Sequence, residues 1–318
     1  MKLILFGSGE FGLPTFQFLH ERHEVALVIS QPDRPAGRKR VLRPTPVSMW
    51  AAVAGLELLK CADVNEEPVV GRIAAAGVDA GVVIAFGQKL GPQLVGSCGR
   101  VAVNLHGSLL PKFRGAAPIN HAILTGESRT GVSVIALAQR MDAGLIYKTA
   151  STPISPLETA GELHDQLATM GPSAVQEVLK AFEAGTIQGV AQDETKASRA
   201  PKLAKADGWV DFDADPETVR RRVHGLTPWP GVRVEWHSAR SGNQAQLFLR
   251  RMGQVSSEPC VSKPGTILDA AAVAVRDGTV RLLEVQLAGG NAMSFDDFVR
   301  GHAMEPGDVL VGGRHDGT

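Results

Sequence analysis

Leu3-Ile4-Leu5-Phe6-Gly7-Ser8-Gly9-Glu10-Phe11-Gly12 drives four apolar residues straight into a glycine-spaced turn. A short unbroken apolar run of this kind reads as a strand buried on both faces. Residues 11–22 then take a helical pattern, with Pro14 tolerated in the first turn. Residues 25–30 form a second apolar run, and residues 82–86 and 101–105 two more, with a helical pattern around 68–76 before the first of these. The alternation predicts an α/β fold, a mostly parallel sheet with helices on both faces.

Gly7, Gly9 and Gly12 also fit G-x-G-x-x-G, the turn that carries a dinucleotide pyrophosphate on a helix N-terminus. That use needs an acid about 20 residues on, at the end of the second strand. Here the strand ends Ser30-Gln31-Pro32, and Asp33 arrives inside an arginine-rich loop. The glycines therefore read as a close strand-to-helix turn. An NAD-dependent oxidoreductase remains an alternative that rests on those three residues.

Beyond a long helical pattern over residues 161–184 the character changes. Residues 189–206 are polar and read as a linker. Residues 216–225 read as a helix closed by Pro228-Trp229-Pro230-Gly231. Short segments at 232–236, 246–249, 266–268, 273–275 and 280–285, punctuated by glycine, predict a small antiparallel barrel or sandwich. The expected organisation is a domain over 1–188, a linker over 189–206 and a β-barrel domain over 207–318. The length of 318 residues agrees with two domains at roughly 150 residues each.

Charge is balanced at 33 Lys and Arg against 33 Asp and Glu, so any contact with nucleic acid must come from a local patch. One patch is evident: Arg34, Arg38, Lys39, Arg40 and Arg43 face a single nearby acid, Asp33. Such a loop suits salt-sensitive phosphate contacts. Residues 207–318 hold 12 Lys and Arg against 15 Asp and Glu. Three distant cysteines, Cys61, Cys98 and Cys260, argue for a reducing compartment and against a disulfide framework. No signal-peptide core and no run of about 18 apolar residues is present, so the expected location is cytoplasmic, off the membrane.

Chemistry concentrates in Asn104-Leu105-His106-Gly107-Ser108-Leu109-Leu110-Pro111. Asn104 and His106 are two apart at a strand end, so both side chains leave one face, at the edge where open parallel sheets bind ligands. Met141-Asp142-Ala143-Gly144 places an acid in a turn further on. An amide donor, an imidazole and a carboxylate suit acyl transfer to an amine: oxyanion stabilisation, proton movement and orientation of the imidazole. A serine hydrolase triad built on Ser108 is disfavoured, because there is no G-x-S-x-G elbow. His20-Glu21-Arg22-His23 is a poor metal motif, and no metal is expected.

The fifteen residues from Asn104 to Pro118 resemble the core motif of the folate-dependent formyltransferases. Gln31 to Arg38 resemble the tRNA-contacting loop of one family member, and Gln192-Asp193-Glu194-Thr195, Pro228-Trp229-Pro230, Pro264 to Leu268 and Ala292-Met293 resemble later segments in order. The resemblance implies a Rossmann-like domain, an OB-like C-terminal barrel that helps bind tRNA, and formyl transfer from 10-formyltetrahydrofolate to the free amine of initiator methionyl-tRNA. It assigns Asn104, His106 and Asp142 to catalysis. It assigns Ser108, Leu109, Leu110, Pro111, Phe86, Gln88 and Leu90 to the folate, and the basic residues of the 34–43 loop to tRNA. A monomer is expected. Where the family often carries two lysines, this chain has Gly290 and Asn291. Rival readings are a formyltransferase acting on an amino-sugar nucleotide and a non-catalytic RNA-binding module.

Overall fold

The computed structural model describes residues 1–37 and 40–313. The opening run forms β1 (Lys2–Gly7). It is followed by a single 3-10 turn, Glu10–Gly12, and the helix Leu13–His20, shorter than the sequence pattern. Six further strands complete the sheet: β2 (Glu24–Ser30), β3 (Leu58–Lys60), β4 (Ala80–Ile84), β5 (Val101–His106), β6 (Arg129–Ala136) and β7 (Ile146–Pro153). Their order is β7-β6-β5-β4-β1-β2-β3. Pairing is parallel from β5 through β3, and β6 runs antiparallel to β5. The chain first builds outward from β1 to β3, then returns to place β4 on the other side of β1. The strand order therefore reverses between β1 and β4, where ligands of open α/β sheets gather at the carboxyl ends.

Both faces of β1 are buried. Leu3, Ile4, Leu5 and Phe6 are fully excluded from solvent. Ile4 and Phe6 join Leu27, Ile29 and Val83 against Val70 and Ile73 of the helix Glu67–Ala75 and Leu94 of the helix Pro92–Ser97. Alternation sends Leu3 and Leu5 to the opposite face. Burial also pushes the Cys98 thiol up to about 12, which leaves it a small apolar residue.

The glycine turn after β1 is a packing device. A Cβ on Gly7 would lie 2.3 Å from the Phe16 ring. The amides of Ser8 and Gly9, the groups a pyrophosphate would need, both donate to the Ala85 carbonyl at 3.2 Å.

By their contacts the residues fall into two units. One comprises Met1–Pro118, Thr130–Thr152 and His164–Ala200, the other Ile119–Arg129, Pro153–Leu163 and Pro201–Thr318. In the second, Asp215 caps the helix Pro216–Gly225 and accepts from the Thr218 amide at 3.0 Å. The strands Ala272–Val275, Gly278–Leu287, Gln244–Ser256, Val232–His237 and Val309–Val311 are neighbours in that order. The sheet curls. Residues 266–268, read above as a strand, instead span its two edges, with Thr266 bridging Val309 and Ile267 bridging Val273.

Candidate active site

Asn104 and His106 stand on alternate positions at the carboxyl end of β5, where parallel pairing to β4 and antiparallel pairing to β6 hold the strand on both sides. Asn104 is half-buried. His106 is 6% exposed. Its Nε2 lies 2.9 Å from the carbonyl oxygen of Phe113. A carbonyl only accepts, so Nε2 donates this bond, and whenever the ring is neutral Nδ1 is the nitrogen that holds the lone pair. Nδ1 faces the Asp142 carboxylate at 3.7 Å. Asp142 sits in a left-handed turn at φ 55°, a conformation Asp tolerates better than most residues. The Gly115 amide donates to its Oδ2 at 2.9 Å.

The chain between these groups is tightly held. Ser108 is buried, and its hydroxyl donates to the Lys112 carbonyl at 2.7 Å. Ser133 on β6 donates to the Ser108 carbonyl at 2.7 Å and accepts from the Leu110 amide at 3.1 Å. Arg114 and Gly115 pair with Arg199 and Ala200, and Phe113 donates to the Ser198 hydroxyl at 2.9 Å. Leu109 and Pro111 remain partly accessible on this loop, and Leu110 is 6% exposed.

Phe86, Gln88 and Leu90 follow β4. Phe86 packs edge-on against Phe6 with ring centroids 5.7 Å apart, and Leu90 belongs to the same core cluster. Gln88 accepts from the Val64 amide at 2.8 Å and donates to the Cys61 carbonyl at 3.0 Å. Phe86 and Leu90 thus belong to the core beside β4, and Gln88 ties the segment after β4 to residues 61–64. Arg34 and Arg43 oppose each other across a small hairpin, Arg34–Ala36 with Val41–Arg43, and both are exposed, as is Arg40. Arg38 and Lys39 lie outside the described residues.

Several groups that build the site carry no assigned role in the sequence reading. Arg114, 8% exposed, binds Gln192 through Nε at 3.0 Å and Nη2 at 2.7 Å, and Glu194 through Nη1 at 3.1 Å and Nη2 at 2.9 Å. Arg140 shares the Oε2 oxygen of Glu194 with Arg114, and the two guanidinium groups, Arg114 foremost, hold that carboxyl down to about 2. The signal available in sequence is an arginine inside an apolar loop, since a buried arginine must find a partner.

The descriptions of known families agree along the chain. That for formyl transferase matches residues 1–179, and that for the formyl transferase C-terminal domain matches residues 202–303. The methionyl-tRNA formyltransferase of Heliobacterium modesticaldum is 39% identical over 96% of this chain and 99% of its own length. That of Geotalea uraniireducens is 36% identical over 98% of each. Among solved structures, the sugar 3N-formyl transferase WlaRD, crystallised in the presence of dTDP and 5-N-formyl-THF, superimposes with TM-score 0.65 at 13% identity, covering 93% of this chain and 98% of that one. HypX from Aquifex aeolicus in complex with tetrahydrofolic acid gives 0.59 at 19% identity, over 94% and 46%. At these identities the structural likenesses speak to the fold.

Proposed function

The chain belongs to the formyl transferase family, and from that premise we propose that it moves the formyl group of 10-formyltetrahydrofolate to the free amine of initiator methionyl-tRNA. It is a formyl-transferring enzyme whose acceptor is methionyl-tRNA. The product, N-formylmethionyl-tRNA, serves translation initiation in the cytoplasm. The observation that carries the chemistry is a buried imidazole with one nitrogen spent on a backbone carbonyl and the other 3.7 Å from a carboxylate.

The bound folate supplies an activated formyl carbonyl. Residues 108–111, together with Phe86, Gln88 and Leu90, are assigned to hold it. Asn104 supplies an amide donor for the carbonyl oxygen as charge develops there, a contribution of about 2.7–4 kcal/mol in comparable acyl-transfer sites. His106 takes the proton lost by the attacking amine at Nδ1, Asp142 stabilises the imidazolium so formed, and that proton passes to the folate nitrogen as its bond to the formyl carbon breaks and tetrahydrofolate leaves. The α-amine has an ordinary pKa of about 8, so a useful fraction is already neutral and positioning dominates. Residues 1–188 are assigned the catalysis, 189–206 the link, and 207–318, with the basic 34–43 loop, the tRNA.

Incubation with charged initiator tRNA and 10-formyltetrahydrofolate, followed by hydrolysis and mass detection of formylmethionine, tests the whole reading. Absence of product, or preferred formylation of a competing amino-sugar nucleotide, would overturn it. Thermal stabilisation by NAD with none from a folate analogue would favour the oxidoreductase.

A further inference from the structure

Asp142 reaches His106 only if its turn is held in place, and the holding group comes from residues 189–206. Gln192 Nε2 donates to the Asp142 carbonyl and to the Gly144 carbonyl, each at 2.8 Å. Its Oε1 in turn accepts from the Arg114 guanidinium twice. Arg114 lies between Phe113, whose carbonyl fixes His106 Nε2, and Gly115, whose amide fixes Asp142 Oδ2. A closed circuit results: imidazole, residues 113–115, carboxylate, turn carbonyls, Gln192, Arg114. We propose that Gln192 is a positioning residue for formyl transfer. It acts through Asp142 and touches neither the amine nor the formyl carbon.

The amide group is specific to this task. One end must donate to two carbonyls while the other accepts from a cation, and among the isosteres only Gln does both. A glutamate at this position would keep the bond to Arg114 but turn an anionic oxygen on the two carbonyls. A methionine would keep the length and lose all four hydrogen bonds. Glu194, pinned by Arg114 and Arg140, restrains the segment next to Gln192.

The proposal rests on the catalytic assignment above, so its test includes a readout free of substrate. The Gly115 amide donates to the Asp142 carboxylate, whereas its neighbours Arg114 and Ala116 donate to the Ser198 and Ala200 carbonyls. In Gln192→Glu, hydrogen exchange at Gly115 should accelerate at least about tenfold while Arg114 and Ala116 serve as unchanged controls. Kinetically, kcat should fall about a hundredfold, the penalty for displacing a catalytic group by about an ångström. KM for both substrates should hold within about twofold. Adding Q192E to Asp142→Asn should cost little more than D142N alone. Q192M should behave likewise. Unchanged Gly115 exchange and kcat in folded variants would overturn the proposal, as would additive losses in the double variant. Collapse of Tm in both variants would make the residue structural and overturn it equally. If the wild type fails to formylate methionyl-tRNA, the functional reading falls, and the Gly115 exchange still decides whether Gln192 holds the turn.

Discussion

Two buried histidines among the described residues have opposite employments, and their hydrogen bonds tell them apart. His106 spends one nitrogen on a carbonyl and keeps the other toward a carboxylate. His106→Ala should therefore lower kcat at least about a hundredfold, with urea unfolding showing a native-like midpoint; near-normal turnover would remove it from the mechanism. His224 is 1% exposed and accepts from the Met252 amide at 2.9 Å. Burial first, then the Arg220 and Arg251 cations, hold its pKa down to about 4. Unfolded, it titrates near 6.5. Over pH 6.5 to 4 the unfolded chain thus binds the extra proton, and stability falls as pH drops through that window. The loss should approach about 3 kcal/mol, from about 2.5 pKa units at 1.36 kcal/mol each. His224→Gln should flatten this part of the stability profile measured by urea unfolding. Glu162 acts lower. Hydrogen bonding to Arg251 leads in holding its carboxyl at about 2, so its contribution is present above pH 4.5 and fades toward pH 2. An acid limb with no inflection between pH 6.5 and 4 would exclude His224 as its source.

At the scale of elements, Gly144 shows how the site depends on backbone approach. A Cβ there would lie 1.9 Å from the Ala136 carbonyl oxygen, at the point where the loop bearing Asp142 leaves β6 and rejoins β7. Gly144→Ala should push these chains apart and cost about 1–3 kcal/mol as overpacking. It should lower kcat at least about tenfold, because the turn moves with them. Single-turnover kinetics beside urea unfolding would separate the two effects, and retention of wild-type kcat would show the turn to be tolerant. The same elements show what a sequence discloses. β1, β2, β4 and β5 are apolar on both faces and stand out as unbroken runs. The helix Pro216–Gly225 announces itself through Asp215 and Pro216. β7 does not, because it is mostly exposed or half-buried and reads Ile-Tyr-Lys-Thr-Ala-Ser-Thr-Pro. Asn104 and His106 are legible because i and i+2 on one strand share a face. Gln192 is not, since it meets Arg114 across 78 residues of chain and only the fold supplies that contact.

For the molecule as a whole, the question is how a neutral chain attracts a polyanion. Residues 207–318 carry 12 Lys and Arg against 15 Asp and Glu, so with 33 of each overall the remainder holds an excess of three cations. Long-range attraction to RNA cannot come from net charge and must come from clustering. The densest cluster is the 34–43 segment, where Arg34 and Arg43 face each other across the hairpin. Like charges directly opposed are unfavourable in a free hairpin, and an anion near both relieves the repulsion. Each phosphate contact contributes about 0.7–0.9 to the slope of log affinity against log salt concentration. Substituting Arg40 and Arg43 together with glutamine should raise KM for methionyl-tRNA and make the salt dependence of kcat/KM shallower by roughly 1.4–1.8. Because the site proposed for formyl transfer lies at the carboxyl end of β5, kcat at saturating tRNA should stay near wild type. An unchanged slope would move the phosphate contacts elsewhere on the surface.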